Sequence, residues 1–227
     1  MPALPMPPWT GTLRIHEEFA LAWAAPGDTA PHRHYCHQIV RAAHGVATAT
    51  IDGELLREPV LAIASQREHR LQADERPCFL LFAEPSSFQL QALAEAITAA
   101  PAQADAIALA AARCRRPQTL DPRVAHCLQR IDGLLAEKIH AASLAAGVRL
   151  SLSQLERLCG AQLNLSVRRL VLWRRLRLAA TEALRERSLT VAAHAAGFAD
   201  SAHLSRAFRR FFGVRGSDLV RAMRLQS

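Results

Sequence analysis

The feature that most constrains this chain is an internal echo: residues 141–159 and 190–208 repeat one pattern at an offset of 49 positions. Each copy opens with a short alanine-rich stretch, Ala141-Ala142-Ser143-Leu144-Ala145-Ala146 in the first and Ala192-Ala193-His194-Ala195-Ala196 in the second. A tight turn follows, then a segment of the form x-Leu-x-Arg, as Gln154-Leu155-Glu156-Arg157 and His203-Leu204-Ser205-Arg206. Apolar residues at helical spacing with no strand signal predict two short helices per copy, and each such pair needs neighbours to bury its stripe. Ser151 followed three positions on by Gln154 has the spacing of a capping box, and Asp200 stands at the matching cap of the second copy.

At 100° per residue the second helix of each copy has two faces. Leu155, Leu158, Cys159 and Gln162 share the inner face of the first, leaving Ser153, Glu156, Arg157 and Gly160 outside. In the second, Leu204, Ala207, Phe208 and Phe211 point inward, with Ala202, Ser205, Arg206 and Arg209 outside. Small residues and an arginine on one exposed face suit a helix lying in a major groove, where close approach is possible and arginine can reach guanine; a merely solvated face would look the same. Asn164 and Gly213 occupy equivalent closing positions where a left-handed residue is expected. Between the copies, Leu170, Trp173, Ala180 and Leu184 predict one helix over 167–186, about 30 Å long at ~1.5 Å per residue. That is close to the ~34 Å between successive major-groove faces of a duplex. Ahead of the first copy, Asp121-Pro122 is a helix start, and Val124, Leu128, Ile131 and Leu135 form its stripe.

The first 90 residues read differently. Leu13 and Ile15, then Phe19, Leu21 and Trp23, then Val46, Thr48 and Thr50 alternate with period two, and Pro26-Gly27-Asp28, Asp52-Gly53 and Glu84-Pro85-Ser86 punctuate them. About eight short strands in a small barrel or sandwich are expected. Residues 91–118 turn alanine-rich and predict one or two connecting helices, broken at Pro101 and Pro117 and offering a candidate dimer interface.

Charge divides the chain at the same place. Residues 1–118 carry 10 basic against 12 acidic side chains, and residues 119–227 carry 18 against 8, so only the second half is built to meet a polyanion. Lys138 is the one lysine among 28 basic residues. No apolar run reaches the roughly 18 residues of a membrane span, and Met1–Thr10 is proline-rich without the blocks of a signal peptide. Five cysteines with no CxxC pair fit reduced thiols. A cytoplasmic, nucleoid-associated protein without a membrane partner is expected.

These motifs give the carboxy-terminal half a family resemblance. Residues 119–226, above all Ser188-Leu189-Thr190 through Ala193, Gly197-Phe198-Ala199-Asp200-Ser201 and His203 through Val214, resemble the DNA-binding domain of AraC/XylS-type regulators. Cys159, Asn164, Leu170 and Gly216 depart from the usual phenylalanine, glycine, tyrosine and proline. The resemblance implies two helix-turn-helix units, at about 140–160 and 189–212, within a domain spanning 119–227. It implies base contacts from Ser153, Glu156 and Arg157 in the first and from Ser201, Ala202, Ser205 and Arg206, with Arg209, in the second. Arg168, Arg174, Arg175, Arg209, Arg210 and Arg215 would meet phosphate or serve as solubilising charge. The implied partners are double-stranded promoter DNA, RNA polymerase, a small-molecule or metal effector and a second copy of the chain.

The amino-terminal half, 1–90, resembles a cupin sensor domain through His32-x-His34, Gln38 and Gly45, with His69 from a second strand, although Ala64 and Gln66 replace the proline and glycine usual before it. Two histidines at i and i+2 point to one side of a strand, where His69 could complete a three-nitrogen site with Gln38 as a neutral fourth ligand. Zn, Ni, Fe or Mn would be the candidate divalent metal; a polar pocket for a small effector is the alternative. The expected fold is a small all-β cupin-like barrel followed by an all-α domain of two helix-turn-helix units joined by a long helix. The expected function is a one-component, effector-responsive, sequence-specific transcription regulator that is not an enzyme. The competing reading is a metal-dependent cupin enzyme, such as a dioxygenase or isomerase, fused to a DNA-binding domain.

Overall fold

The computed structural model describes residues 10–72, 76–116 and 120–226. The amino-terminal proline stretch through Trp9 and the break expected at Pro117 lie outside the described residues. The chain divides into two compact units, Met1–Pro117 with Ser205–Ser227, and Gln118–Leu204.

The first unit contains β1 (Thr10–Ile15), β2 (Phe19–Ala25), β3 (His37–Ala42), β4 (Ala47–Ile51), β5 (Glu54–Glu58), β6 (Val60–Ile63), β7 (His69–Leu71) and β8 (Cys78–Ala83), followed by α1 (Leu90–Ala99) and α2 (Ala104–Arg113). The chain's last elements, α9 (Gly216–Ala222) and β9 (Met223–Leu225), join it, as do the residues from Ser205 onward of α8 (Ser201–Phe212). One sheet runs β6-β3-β8-β2-β1-β9 and a second runs β5-β4-β7. The sheets are not closed into the expected barrel; they fit against each other as the cupin-like resemblance requires, and an isolated bridge pairs His32 with His69 beside them. Within the large sheet β9 is the parallel member, running Gly11↔Met223 to Leu13↔Leu225 along β1.

Strand alternation places the core. In β4 the small residues Ala47 and Ala49 and the branched Ile51 are buried, while Thr48 and Thr50, whose alternation marked the strand, are half-exposed. Threonine fits a pleated surface on either side, so its period identifies the strand and not its inner face. The segment expected as a helical linker is part of this unit's core: Leu93 and Ile97 of α1 and Ile107 and Ala111 of α2 pack in one cluster with Phe19, Leu21, Ile39, Phe79 and Leu81.

The second unit is helical: α3 (Pro122–Gly133), α4 (Ala141–Gly147), α5 (Leu152–Leu163), α6 (Val167–Glu186), α7 (Leu189–Ala195) and the first residues of α8. Asp121 caps α3, accepting from the Arg123 amide, with Pro122 in the first turn. Ser151 and Gln154 form both bonds of the capping box on α5. α6 covers the expected 20 residues and buries Leu170, Trp173, Leu176, Ala179 and Leu184, with Ser166 as its cap. Among the described residues no helix is long and apolar enough to cross a membrane.

Candidate nucleic-acid interface and buried histidine cluster

The echo survives as geometry. α4 and α7 are related by 48 positions and α5 and α8 by 49, so the turn of the second copy is one residue longer. Each turn closes with an amide reaching back five residues, Leu150 N–H to Ala145 and Phe198 N–H to Ala193, at 3.0 and 2.8 Å. The left-handed residue that this closure needs is Gly197 in the second copy (φ +69°) but Arg149 in the first (φ +58°). After the second helices, Asn164 (φ +52°) and Gly213 (φ +70°) take the left-handed conformation as expected.

On α5, Leu155, Cys159 and Leu163 are buried, and Ser153 and Arg157 are exposed. Burial, with Cys127 and Glu156 nearby, pushes the Cys159 thiol up to about 12, so it packs as a small apolar group. Gln162 on the inner face accepts the Asp121 amide at 3.0 Å, tying α5 to the start of α3. On α8, Leu204, Ala207 and Phe208 are buried, Ala202, Arg206 and Arg209 are exposed, and Ser201 is half-buried at the first turn. The Asp200 carboxylate accepts from the His203 amide at 2.6 Å.

Two of the residues expected at the DNA face have a structural task. Glu156 is half-buried, and its Oε2 accepts from the amide of Val167, the first residue of α6, at 3.0 Å. Ser205 is half-buried, and its Oγ accepts from the amide of Gly216, the first residue of α9, at 3.3 Å. Both partners obey the same 49-residue offset, so α5 and α8 each use one acceptor to hold the next helix's N-terminal amide. A helical wheel shows only one helix and misses this, whereas the offset applied to Val167 and Gly216 together would have exposed it. The arginines of α6 are also divided. Arg174 pairs with Asp132 at 3.4 Å. Arg175 donates to the Leu135 and Glu137 carbonyls at 3.1 and 2.6 Å, and burial lowers its pKa. Arg168 remains exposed.

In the first unit His32, His34 and His69 come together, all buried, each with a ring nitrogen within 4.8 Å of the others'. Each Nδ1 faces a carbonyl two residues away in sequence: His32 on Ala30 at 2.9 Å, His34 on Cys36 at 3.1 Å and His69 on Arg67 at 2.9 Å. A carbonyl can only accept, so Nδ1 carries the proton and every Nε2 keeps its lone pair. Gln38, 1% exposed, sets its Oε1 3.0 Å from His34 Nε2 and 2.9 Å from His69 Nε2. Acceptors facing acceptors at that range are reconciled by a cation among them or by the amide turned to present its NH2. Burial is the main reason that the histidines stay neutral, with repulsion among them second: the pKa values of His32 and His34 fall to about 3, and that of His69 is lowered by burial. Neutral imidazoles with oriented Nδ1–H groups are what a transition-metal site requires, and this set could hold such an ion.

The neighbouring motif residues also find places. Gly45 (φ +72°) is left-handed, and Gln66 adopts φ +65° where a glycine was expected, so the turn before His69 keeps its backbone without glycine. His37 accepts from the Ser65 amide at 3.1 Å and stands outside the cluster. His194 and His203 belong to α7 and α8 and are not part of it.

Residues 144–222 match a family model described as a helix-turn-helix domain. An apo variant of ToxT from Vibrio cholerae is 12% identical, with a TM-score of 0.58 over 92% of this chain and 99% of that one. A fatty-acid-bound wild-type ToxT gives 11% identity and a TM-score of 0.54 over 91% and 96%. The carboxy-terminal domain of AraT, a response regulator from Geobacillus stearothermophilus, is 25% identical over 48% of this chain and 92% of its own, with a TM-score of 0.44. No curated protein sequence matches the chain. The ToxT likeness speaks for the fold alone, a β-rich amino-terminal region followed by helices. The protein is a DNA-binding transcriptional regulator. More narrowly, residues 144–222 are a helix-turn-helix region.

Proposed function

We propose that the protein is a one-component, effector-responsive regulator that reads two adjacent major grooves, one with α5 and one with α8. The observation that carries this reading is the repeated construction of these helices: a side-chain cap from Ser151 and Asp200, a left-handed close at Asn164 and Gly213 and an outward arginine at 157 and 206, each pair 49 residues apart. Base-edge contacts are assigned to Ser153 and Arg157 on α5 and to Ser201, Ala202, Arg206 and Arg209 on α8. Glu156 and Ser205 each accept one bond in buttressing the following helix and retain further hydrogen-bonding capacity for a base edge. The first half carries no matching excess of positive charge, which supports a sensing role for it. RNA polymerase and a second copy of the chain are assigned as partners on the family resemblance.

Within that role the histidine cluster is assigned as a site for a divalent late transition ion, held by Nε2 of His32, His34 and His69 with Gln38 Oε1 as the oxygen ligand. Three imidazoles and one neutral oxygen suit Zn, Ni or Fe(II) better than Mn, which prefers carboxylate. The enzyme reading has no further residue in its support: a regulator needs only occupancy of this site, not turnover.

Titration of fluorescent duplexes tests the function. Selected operator sequence is expected to bind at least a thousandfold more tightly than scrambled duplex at physiological salt. Arg206→Ala is expected to cost ~1–3 kcal/mol and to relax discrimination at one base pair. Equal binding of selected and scrambled duplexes would remove sequence-specific recognition.

A further inference from the structure

The turn between α8 and α9 is built against the histidine cluster. The Ala30 amide donates to the Gly213 carbonyl at 3.0 Å. A Cβ on Gly213 would stand 2.5 Å from the Ala30 carbonyl oxygen and 2.7 Å from both His32 Nδ1 and Thr29 Cβ, so a side chain there cannot coexist with this seat. Beside it the Phe212 ring lies 5.8 Å from the His34 ring and 6.1 Å from Phe82. Beyond α9 the chain is tied down again, through β9 on β1 and a Gln226 amide donating to Leu13 at 2.9 Å.

One residue joins the cluster to this turn. Ala30 accepts from His32 Nδ1 through its carbonyl and holds Gly213 through its amide. An ion on His32 Nε2 fixes the imidazole plane, which fixes the Nδ1–H on Ala30 and with it the position of the amide that receives Gly213. The seated turn in return covers His34 with Phe212 and keeps the His32 ring from swinging toward Gly213. Two events that each favour the other are linked reciprocally, whichever comes first.

We propose that the α8–α9 turn is the lid of the histidine cluster, so that metal occupancy and the seating of residues 205–226 stabilise each other. This rests on reading the cluster as a metal site. Because α8 bears Arg206 and Arg209 on its exposed face, the metal state then sets how firmly the end of the second recognition helix is held.

Cobalt(II) is the probe, followed by its visible absorption in the full-length protein, with amide hydrogen exchange of residues 205–226 as a second readout. Wild type is expected to bind one Co2+ with a nitrogen-ligand spectrum and to slow exchange across 205–226 at least tenfold. Gly213→Val and the gentler Phe212→Ala are each expected to weaken Co2+ binding tenfold or more. His34→Ala is expected to abolish the exchange response. Co2+ bound equally by wild type and both lid variants, with unchanged exchange in 205–226, would overturn the coupling while leaving the metal site standing. Failure of wild type to bind Co2+ at all would remove the metal reading and the lid together.

Discussion

Arg149 and Gln66 hold left-handed backbone that glycine adopts without strain, at φ +58° and +65°. An L-residue with a Cβ loses about 1–2 kcal/mol there, so Arg149→Gly, exposed and outside any site, is expected to raise stability by ~0.5–1 kcal/mol, read as a higher denaturation midpoint at unchanged m-value. Glu156→Ala is expected to cost ~1 kcal/mol of stability because it strands the Val167 amide, whereas Glu156→Gln retains an acceptor and most of that stability. These single residues also show what could be read in advance. The Ser151 box, the Asp121 cap and the closing Asn164 and Gly213 were legible because each depends on neighbours within four positions. The acceptor roles of Glu156 and Ser205 were not, because they answer free amides eleven residues away on another helix.

Among elements, periodicity identified α6 and the strands β1, β2 and β4, but it did not assign the inner face of β4, since Thr48 and Thr50 mark a pleat and not a core. The helices α1 and α2 were readable as helices, while their packing into the strand core depends on partners as distant in sequence as Phe19. Leu93, fully buried in that cluster, is accordingly expected to matter as a core residue would: Leu93→Ala should cost ~2–5 kcal/mol in chemical denaturation of the β unit. The gathering of His32, His34 and His69 into one cluster was legible from His32-x-His34 and His69; the α8–α9 turn beside it was not, since Phe212 and Gly213 lie at the far end of the chain. In the metal-free protein these buried imidazoles link stability to pH. Their folded pKa values lie below the unfolded value of about 6.5, so the unfolded chain binds more protons as the solution is acidified. Stability is therefore fully present above pH 6.5 and is lost progressively as pH falls toward 3. Thermal melts at pH 7.5 and 5.5 in chelator should show the drop, and His34→Gln should flatten it.

For the whole molecule, the charge asymmetry is finer than a basic half facing DNA. Of the arginines on α6, Arg175 is spent on the carbonyls of Leu135 and Glu137 and Arg174 on Asp132, so neither is free to replace a counterion on phosphate. Arg209 and Arg210 on α8, Arg215 in the turn and Arg168 on α6 are exposed and available. If neutralised phosphates set the salt dependence with a slope of about −0.9 per contact, these two groups separate cleanly. Arg210→Ala should weaken binding to all duplexes alike and reduce the magnitude of the log–log salt slope by about one. Arg175→Ala should leave the slope unchanged and instead lower the unfolding midpoint, because the carbonyls of Leu135 and Glu137 lose their donor, the former in a buried residue. A slope that falls equally in both variants would mean that the field of the carboxy-terminal half acts as a smeared charge, and that the division of labour seen among its arginines does not extend to DNA.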